Sequence, residues 1–96
     1  MGESIIKQSK SCFFCGSERA LERHHILKGS ANRKLAEEDG LWVWLCPECH
    51  RGTNGVHGKN GHEKDVTLKL TAEYAWLKYY NLSETDFRLR YGKNYL

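Results

Sequence analysis

The sequence predicts a small α+β fold: a hairpin of two strands and a short helix, followed by one or two further helices. Three observations predict it. Two Cys-x-x-Cys pairs, Cys12 with Cys15 and Cys46 with Cys49, bracket thirty residues, 16 to 45. The run Leu41-Trp42-Val43-Trp44-Leu45 is aromatic, aliphatic and β-branched, and it is bounded by Gly40 and Pro47, as a strand should be. From about His62 to Tyr80, apolar residues return at helical spacing.

In chain order, Cys12-Phe13-Phe14-Cys15-Gly16 reads as a tight turn presenting two thiolates, and Ala20 to Leu27 as the first strand. Lys28 to Gly40 is a polar connection, with one or two helical turns expected over residues 30 to 38. The second strand, 41 to 45, closes the hairpin. Pro47 suits the first position of a short helix, because its φ is preset and its missing N–H has no partner there anyway. Gly52 and Gly55 should end that helix, and a glycine-punctuated loop follows. The long helix near 62 to 80 is expected to bury a stripe of Val66, Leu70, Tyr74 and Leu77 against the hairpin. The aromatic face of the second strand, Trp42 and Trp44, is expected to pack on that same helix. Ser83 reads as an N-cap with Asp86 three positions on, Phe87 and Tyr91 share a face, and Gly92 stops the last helix.

With 96 residues the chain reads as one domain, 1 to 96, with its core near 12 to 58 and its C-terminal helices near 62 to 92. A domain this short buries only about three-fifths of its unfolded surface, so a thin apolar core needs a staple. The N-terminus from Met1 to Lys7 lacks the apolar stretch of a secretory signal, and no run reaches the roughly 20 apolar residues of a membrane span. A cytoplasmic location, with no membrane partner, is the expectation. A net charge of +3 suits a polyanionic partner without requiring one.

In a reducing compartment, paired cysteines serve as metal ligands more often than as disulfides. Each two-residue spacer lets a turn aim both sulfurs at one ion, and two such turns complete the closed tetrahedral shell of a structural Zn2+. The alternative, a redox dithiol, expects a βαβ setting that is not visible here. The hairpin accounts for the long gap between the pairs.

All five histidines, His24, His25, His50, His57 and His62, fall between the first cysteine pair and the long helix. A four-sulfur zinc site does not need them. Imidazole is a common ligand for transition metals and a general base near neutral pH, so the cluster asks for a second site.

Cys12-x-x-Cys15, Glu22-Arg23-His24-His25-Ile26 and Leu45-Cys46-x-x-Cys49-His50 together resemble the zinc-bearing branch of the His-Asn-His (HNH) endonucleases. The stretch Cys49-His50-Arg51-Gly52-Thr53-Asn54-Gly55-Val56-His57-Gly58 is similar to one found in small bacteriophage and prophage HNH proteins. The resemblance covers about residues 12 to 57. It implies a ββα-metal fold gripping one catalytic divalent cation, Mg2+, Mn2+, Ni2+ or Zn2+, and hydrolysis of DNA to a 5′-phosphate and a 3′-hydroxyl. It also implies residue roles: His25 as general base, His24 and His50 as metal ligands, and Asn54 or His57 as the remaining ligand. The family's middle asparagine falls at Leu41, which cannot make its hydrogen bond; Asn32 is the nearby substitute.

Arg51, Arg23, Lys28 and Lys59 are the expected DNA-binding residues, with Arg33, Lys34 and Lys64 as further cations near the site in sequence. No helix stands out as a reader of bases, so weak sequence specificity is expected. The alternative function is a non-catalytic zinc module on the same fold that binds DNA or a phage protein.

Overall fold

The computed structural model describes residues 3 to 96; the first two residues of the N-terminal reading lie outside them. Strand β1 (Glu22–His25) pairs antiparallel with β2 (Trp42–Leu45), and Glu22, Arg23, His24 and His25 face Leu45, Trp44, Val43 and Trp42 in turn. The first strand is shorter than the expected span of 20 to 27. Ala20 adopts a left-handed φ of 53°, which breaks extended backbone before β1 begins. The connection is also more ordered than one or two turns: α1 (Ser30–Asp39) has ten residues and ends on Gly40, whose φ of 81° suits glycine and whose N–H caps Ala36. A Cβ at Gly40 would collide with the carbonyl of Glu3, because the N-terminal segment lies directly across this turn and Ile5 donates its N–H to the Gly40 carbonyl at 3.0 Å.

Helix α2 (Pro47–Arg51) starts on Pro47 as expected, with Cys46 as N-cap. Helix α3 (His62–Tyr80) is the long helix, and α4 (Glu84–Tyr91) opens with the Ser83–Asp86 capping box and closes on Gly92. The described chain is therefore a small α+β structure of one two-stranded antiparallel sheet and four helices. No helix among the described residues is long and apolar enough to cross a membrane.

The buried face of α3 differs from the expected stripe. Leu68, Ala72, Glu73 and Trp76 are buried, whereas Val66, Leu70 and Tyr74 are exposed and Leu77 only borders the core. Both sets follow the three- and four-residue spacing of a helix, so helical periodicity alone cannot choose between them. The choice is made by polar anchors. Glu73, fully buried, accepts the backbone N–H of Tyr95 and of Leu96 and the side-chain amide of Asn94, and so ties the C-terminal tail to α3. Trp76 donates its indole N–H to Asp39 at 2.8 Å.

Asp39 is the hub of this half of the molecule. At the end of α1 it also accepts from Tyr91 Oη at 2.6 Å and from two nitrogens of Arg90 at 2.6 and 2.9 Å, so one carboxylate joins α1, α3 and α4. The alternation of β2 then decides its two faces. Leu41, Val43 and Leu45 enter the core with Ile26, Leu68, Ala72 and Phe87, while Trp42 and Trp44 take the opposite face, so they do not pack on α3 as expected. Their cover is Arg23, whose guanidinium stacks 3.8 Å from the Trp42 ring, together with the N-terminal segment around Ser4 and Lys7.

Replacing Asp39 by Ala leaves Arg90, Tyr91 and Trp76 without their common acceptor. Equilibrium urea unfolding of Asp39→Ala should show a loss of about 3 kcal/mol, in the range for breaking a largely buried ion pair.

Candidate metal centre

Two clusters of metal-ligating side chains are present among the described residues. In the first, the sulfurs of Cys12, Cys15, Cys46 and Cys49 all lie within 4.8 Å of one another. Local hydrogen bonds set this up. Cys12 lies in a turn in which the N–H of Gly16 reaches the Cys12 carbonyl at 2.9 Å, and the N–H of Phe13 reaches the Trp44 carbonyl at 2.9 Å, which hangs the turn on the end of β2. Cys46 directly follows that strand and caps α2, which carries Cys49.

The Cys15 and Cys46 sulfurs are 3.6 Å apart. A disulfide needs about 2.05 Å; two sulfurs on a tetrahedral zinc, each at about 2.3 Å, sit about 3.8 Å apart. The cluster therefore has the dimensions of a structural metal site. Its electrostatics agree. Burial pushes the Cys12 thiol up, but backbone N–H groups of Cys46, Cys15 and Phe14 outweigh this and bring it down to about 6. Burial and the neighbouring sulfurs push Cys49 upward. Four thiolates at this spacing cannot all ionise without a cation among them.

The second cluster is His24, His50 and His57, with ligand nitrogens within 4.8 Å of one another and ring centroids 4.8 to 5.2 Å apart. Each comes from a different element. His24 points to the core side of β1, His50 lies on α2, and His57 lies in the coil after it. That coil is compact: Val56 N–H reaches the Cys49 carbonyl at 2.8 Å and His57 N–H reaches the His50 carbonyl at 3.0 Å. A Cβ on Gly58 or Gly61 would collide with the carbonyls of Gly52 or Gly55, so only glycine allows this close winding. The glycines that look like loop punctuation fold His57 back over His50.

His50 donates its Nδ1–H to Glu22 at 2.7 Å, because a carboxylate can only accept, and this leaves Nε2 as its free lone pair. Such a carboxylate partner fixes the tautomer of metal-ligating histidines generally. His24 is 3% exposed, and its Nε2 is the one buried side-chain nitrogen or oxygen among the described residues that has no hydrogen-bond partner. A buried polar atom without a partner costs about 1–3 kcal/mol, so this nitrogen is shaped for a ligand beyond the protein's own atoms. Burial, then the neighbouring His50 and His57, lowers its pKa to about 4; burial, then His50 and Lys28, lowers His57 as well. Both are therefore neutral near pH 7, the state in which imidazole binds a metal. The donor set fits a divalent cation.

These histidines line a cleft of about 920 Å³ together with His25, Lys28, Arg33, Lys34 and Glu37. Neighbours on a strand point to opposite faces, yet His24 and His25 share the cleft because β1 ends at His25 and the cleft wraps its end. His25 donates its Nε2–H to Glu37 at 2.6 Å, and Arg23 grips the other oxygen of Glu37 at 2.7 Å. Burial opposes ionisation of Glu37, but the bonds from His25 and Arg23 outweigh it and lower its pKa.

The other expected site residues divide between the cleft and other parts of the fold. Asn54 is exposed, accepts from the Asn60 side chain at 3.1 Å and lines no part of the cleft, so of the two expected alternatives His57 joins the cluster. Asn32 donates to the Tyr91 carbonyl at 3.1 Å, tying α1 to α4, and Leu41 is fully buried in the core. Arg51 is bound through two nitrogens to Glu22, which it and then His50 hold at a pKa of about 2. Arg23 is engaged by Glu37 and Trp42, and Lys59 is exposed outside the cleft; Lys28 lines it. Glu22 and Glu37 were not anticipated. The signal for Glu22 was present in the alternation of β1, where a carboxylate two residues before His24 shares its face; Glu37 reaches His25 from α1.

Comparison with family models, with curated proteins and with solved structures gives no match.

Metal analysis of the purified protein should give two ions per chain. His50→Ala should lower this to one with folding kept, and Cys46→Ser should remove the cysteine-bound ion and unfold the protein at ordinary temperature. The His24 shift also predicts a pH dependence in protein lacking an ion at the histidines. Below pH 6.5 the unfolded chain takes up a proton that folded His24 refuses until about pH 4. Stability should therefore fall as pH drops through that window, by up to about 3 kcal/mol at its end, and His24→Leu should flatten the slope of unfolding free energy between pH 7 and 5.5.

Proposed function

We propose that the chain is a metal-dependent DNA endonuclease of the His-Asn-His type, built on a ββα-metal core of β1, β2 and α2 and stapled by zinc at the four cysteines. The observation that carries this reading is the convergence of His24, His50 and His57, one nitrogen of it buried and unpartnered, in the same cleft as His25. The sequence resemblance supplies the chemistry to which that arrangement is suited.

A divalent cation on His24, His50 and His57 would neutralise the scissile phosphate and the leaving oxygen. Three imidazoles and no carboxylate favour a borderline transition ion such as Zn2+ or Ni2+, with Mn2+ next; Mg2+ prefers oxygen ligands. His25 takes the proton from the attacking water. With Nε2–H committed to Glu37, its Nδ1 lone pair is the one left to do so. Glu37 fixes the ring and its tautomer, which compensates for Leu41 at the place of the family's asparagine. Glu22 does the same for His50. The bacteriophage or prophage setting, and any phage protein partner, rest on the Cys49 to Gly58 resemblance alone.

Incubation with supercoiled plasmid and Zn2+, Ni2+, Mn2+ or Mg2+ tests the reading. The wild type should produce nicked circles, and His25→Ala should lower the rate by about 10²–10⁴-fold with both ions still bound. Equal DNA affinity in the two proteins and no cleavage by either would instead identify a non-catalytic binding module.

A further inference from the structure

The cleft is much larger than its histidine centre requires. At about 920 Å³ it stands at the upper end of ordinary ligand pockets, about 300–1,000 Å³, so a single phosphate at the histidines leaves most of it open. What lines the remainder is one-sided in charge. Arg23 and Glu37 neutralise each other, and Glu38 pairs with Arg90. Lys28, Arg33 and Lys34 also line the cleft, all three exposed, and none has an ion pair among the described residues. Lys28 shares this cleft with His57 of the histidine centre.

Helix α1 begins in this same wall. Gly29 and Ser30 line the cleft; no side chain caps the helix start, and no acidic residue occupies its first turn. The free N–H groups of a ten-residue helix carry the positive end of its dipole. Arg33 and Lys34 stand about one turn further along, about 5.4 Å of axis. The buried, unpartnered Nε2 of His24 lies in the same cleft and marks its histidine end as a ligand site, so a strand held there runs on past these cations.

We infer that the first turn of α1, with Lys28, Arg33 and Lys34, is a binding track for the phosphates that flank the one at the histidine centre, so that the cleft takes a DNA strand and not a mononucleotide. This rests on the nuclease reading for its ligand. It assigns the binding to α1, in place of the Arg51 and Lys59 expected from sequence. Arg51 is tied to Glu22 and serves His50, whereas α1 reaches His25 directly through Glu37, one turn beyond Arg33.

Fluorescence anisotropy with a labelled 20-base-pair duplex, across a salt series and in a His25→Ala background that prevents cleavage, tests the track. Arg33→Ala and Lys34→Ala should each lower the slope of log affinity against log salt by about one, and Lys28→Ala/Arg33→Ala/Lys34→Ala should bind about tenfold more weakly or worse at 0.1 M salt. Lys78→Ala/Lys93→Ala, a pair outside the cleft, should leave the slope unchanged. Thermal melting checks that each variant folds. Unchanged slopes in the α1 variants, or an equal loss in the control pair, would overturn the track even where plasmid nicking succeeds. The expected slopes without any nicking by the wild type would uphold the track and sink the endonuclease.

Discussion

Because Glu22 lies opposite Leu45 and His24 opposite Val43, the β1–β2 register decides almost everything that follows. It puts His24 on the core side, beneath α2, and His25 on the side reached by Glu37. A slip of one residue would exchange them, since side chains alternate with a period of two, and would bury His25 while exposing His24. The same register sets Cys46 at the end of β2 within 3.6 Å of Cys15, so the two clusters depend on one ladder. A two-stranded sheet is marginal by itself. Here it is held from outside, by the cysteine cluster at one end and by the closure of Ile5 on Gly40 at the other.

The polar contacts divide into two systems with different consequences. Asp39 and Glu73 bind α1, α3, α4 and the tail to one another through fully satisfied hydrogen bonds, which favours a single arrangement of the helices. The other system, Glu22 with His50 and Arg51 and Glu37 with His25 and Arg23, faces the cleft and fixes the orientation of imidazoles. Beside this second system, one buried side-chain atom among the described residues has no hydrogen-bond partner, His24 Nε2. That exception is informative, because a native core leaves few buried polar atoms unpartnered.

Charge follows the same division. Of the seven cations that sequence neighbourhood suggested as DNA contacts, Arg23 and Arg51 turn out to be structural, each bound to the carboxylate that orients a histidine. Proximity in sequence identifies neither fate. The track in the cleft depends on α1 being a full helix, and the polar connection from Lys28 to Gly40 gives only a weak helical signal, with no capping side chain and no acidic first turn. The lack of those features, unhelpful for recognising a helix, leaves its start open to an anion.

The sequence by itself determined what is local: the two thiolate turns, because a Cys-x-x-Cys spacer brings both sulfurs to one side; β2, from its composition; α2 from Pro47; α3 between His62 and Tyr80; and the Ser83 cap with its Gly92 stop. It also singled out His24, His25, His50 and His57 as residues whose chemistry belongs together. Only the tertiary structure decided which of two equivalent stripes of α3 is buried, which face of β2 meets the core, that His57 and not Asn54 completes the histidine cluster, and that Glu37 of α1 is the hydrogen-bond partner of His25. Each of these depends on contacts between residues far apart in the chain. Helical periodicity and strand alternation specify a face only up to the choice of partner, and that choice was made by Asp39, Glu73 and the close-wound glycine coil.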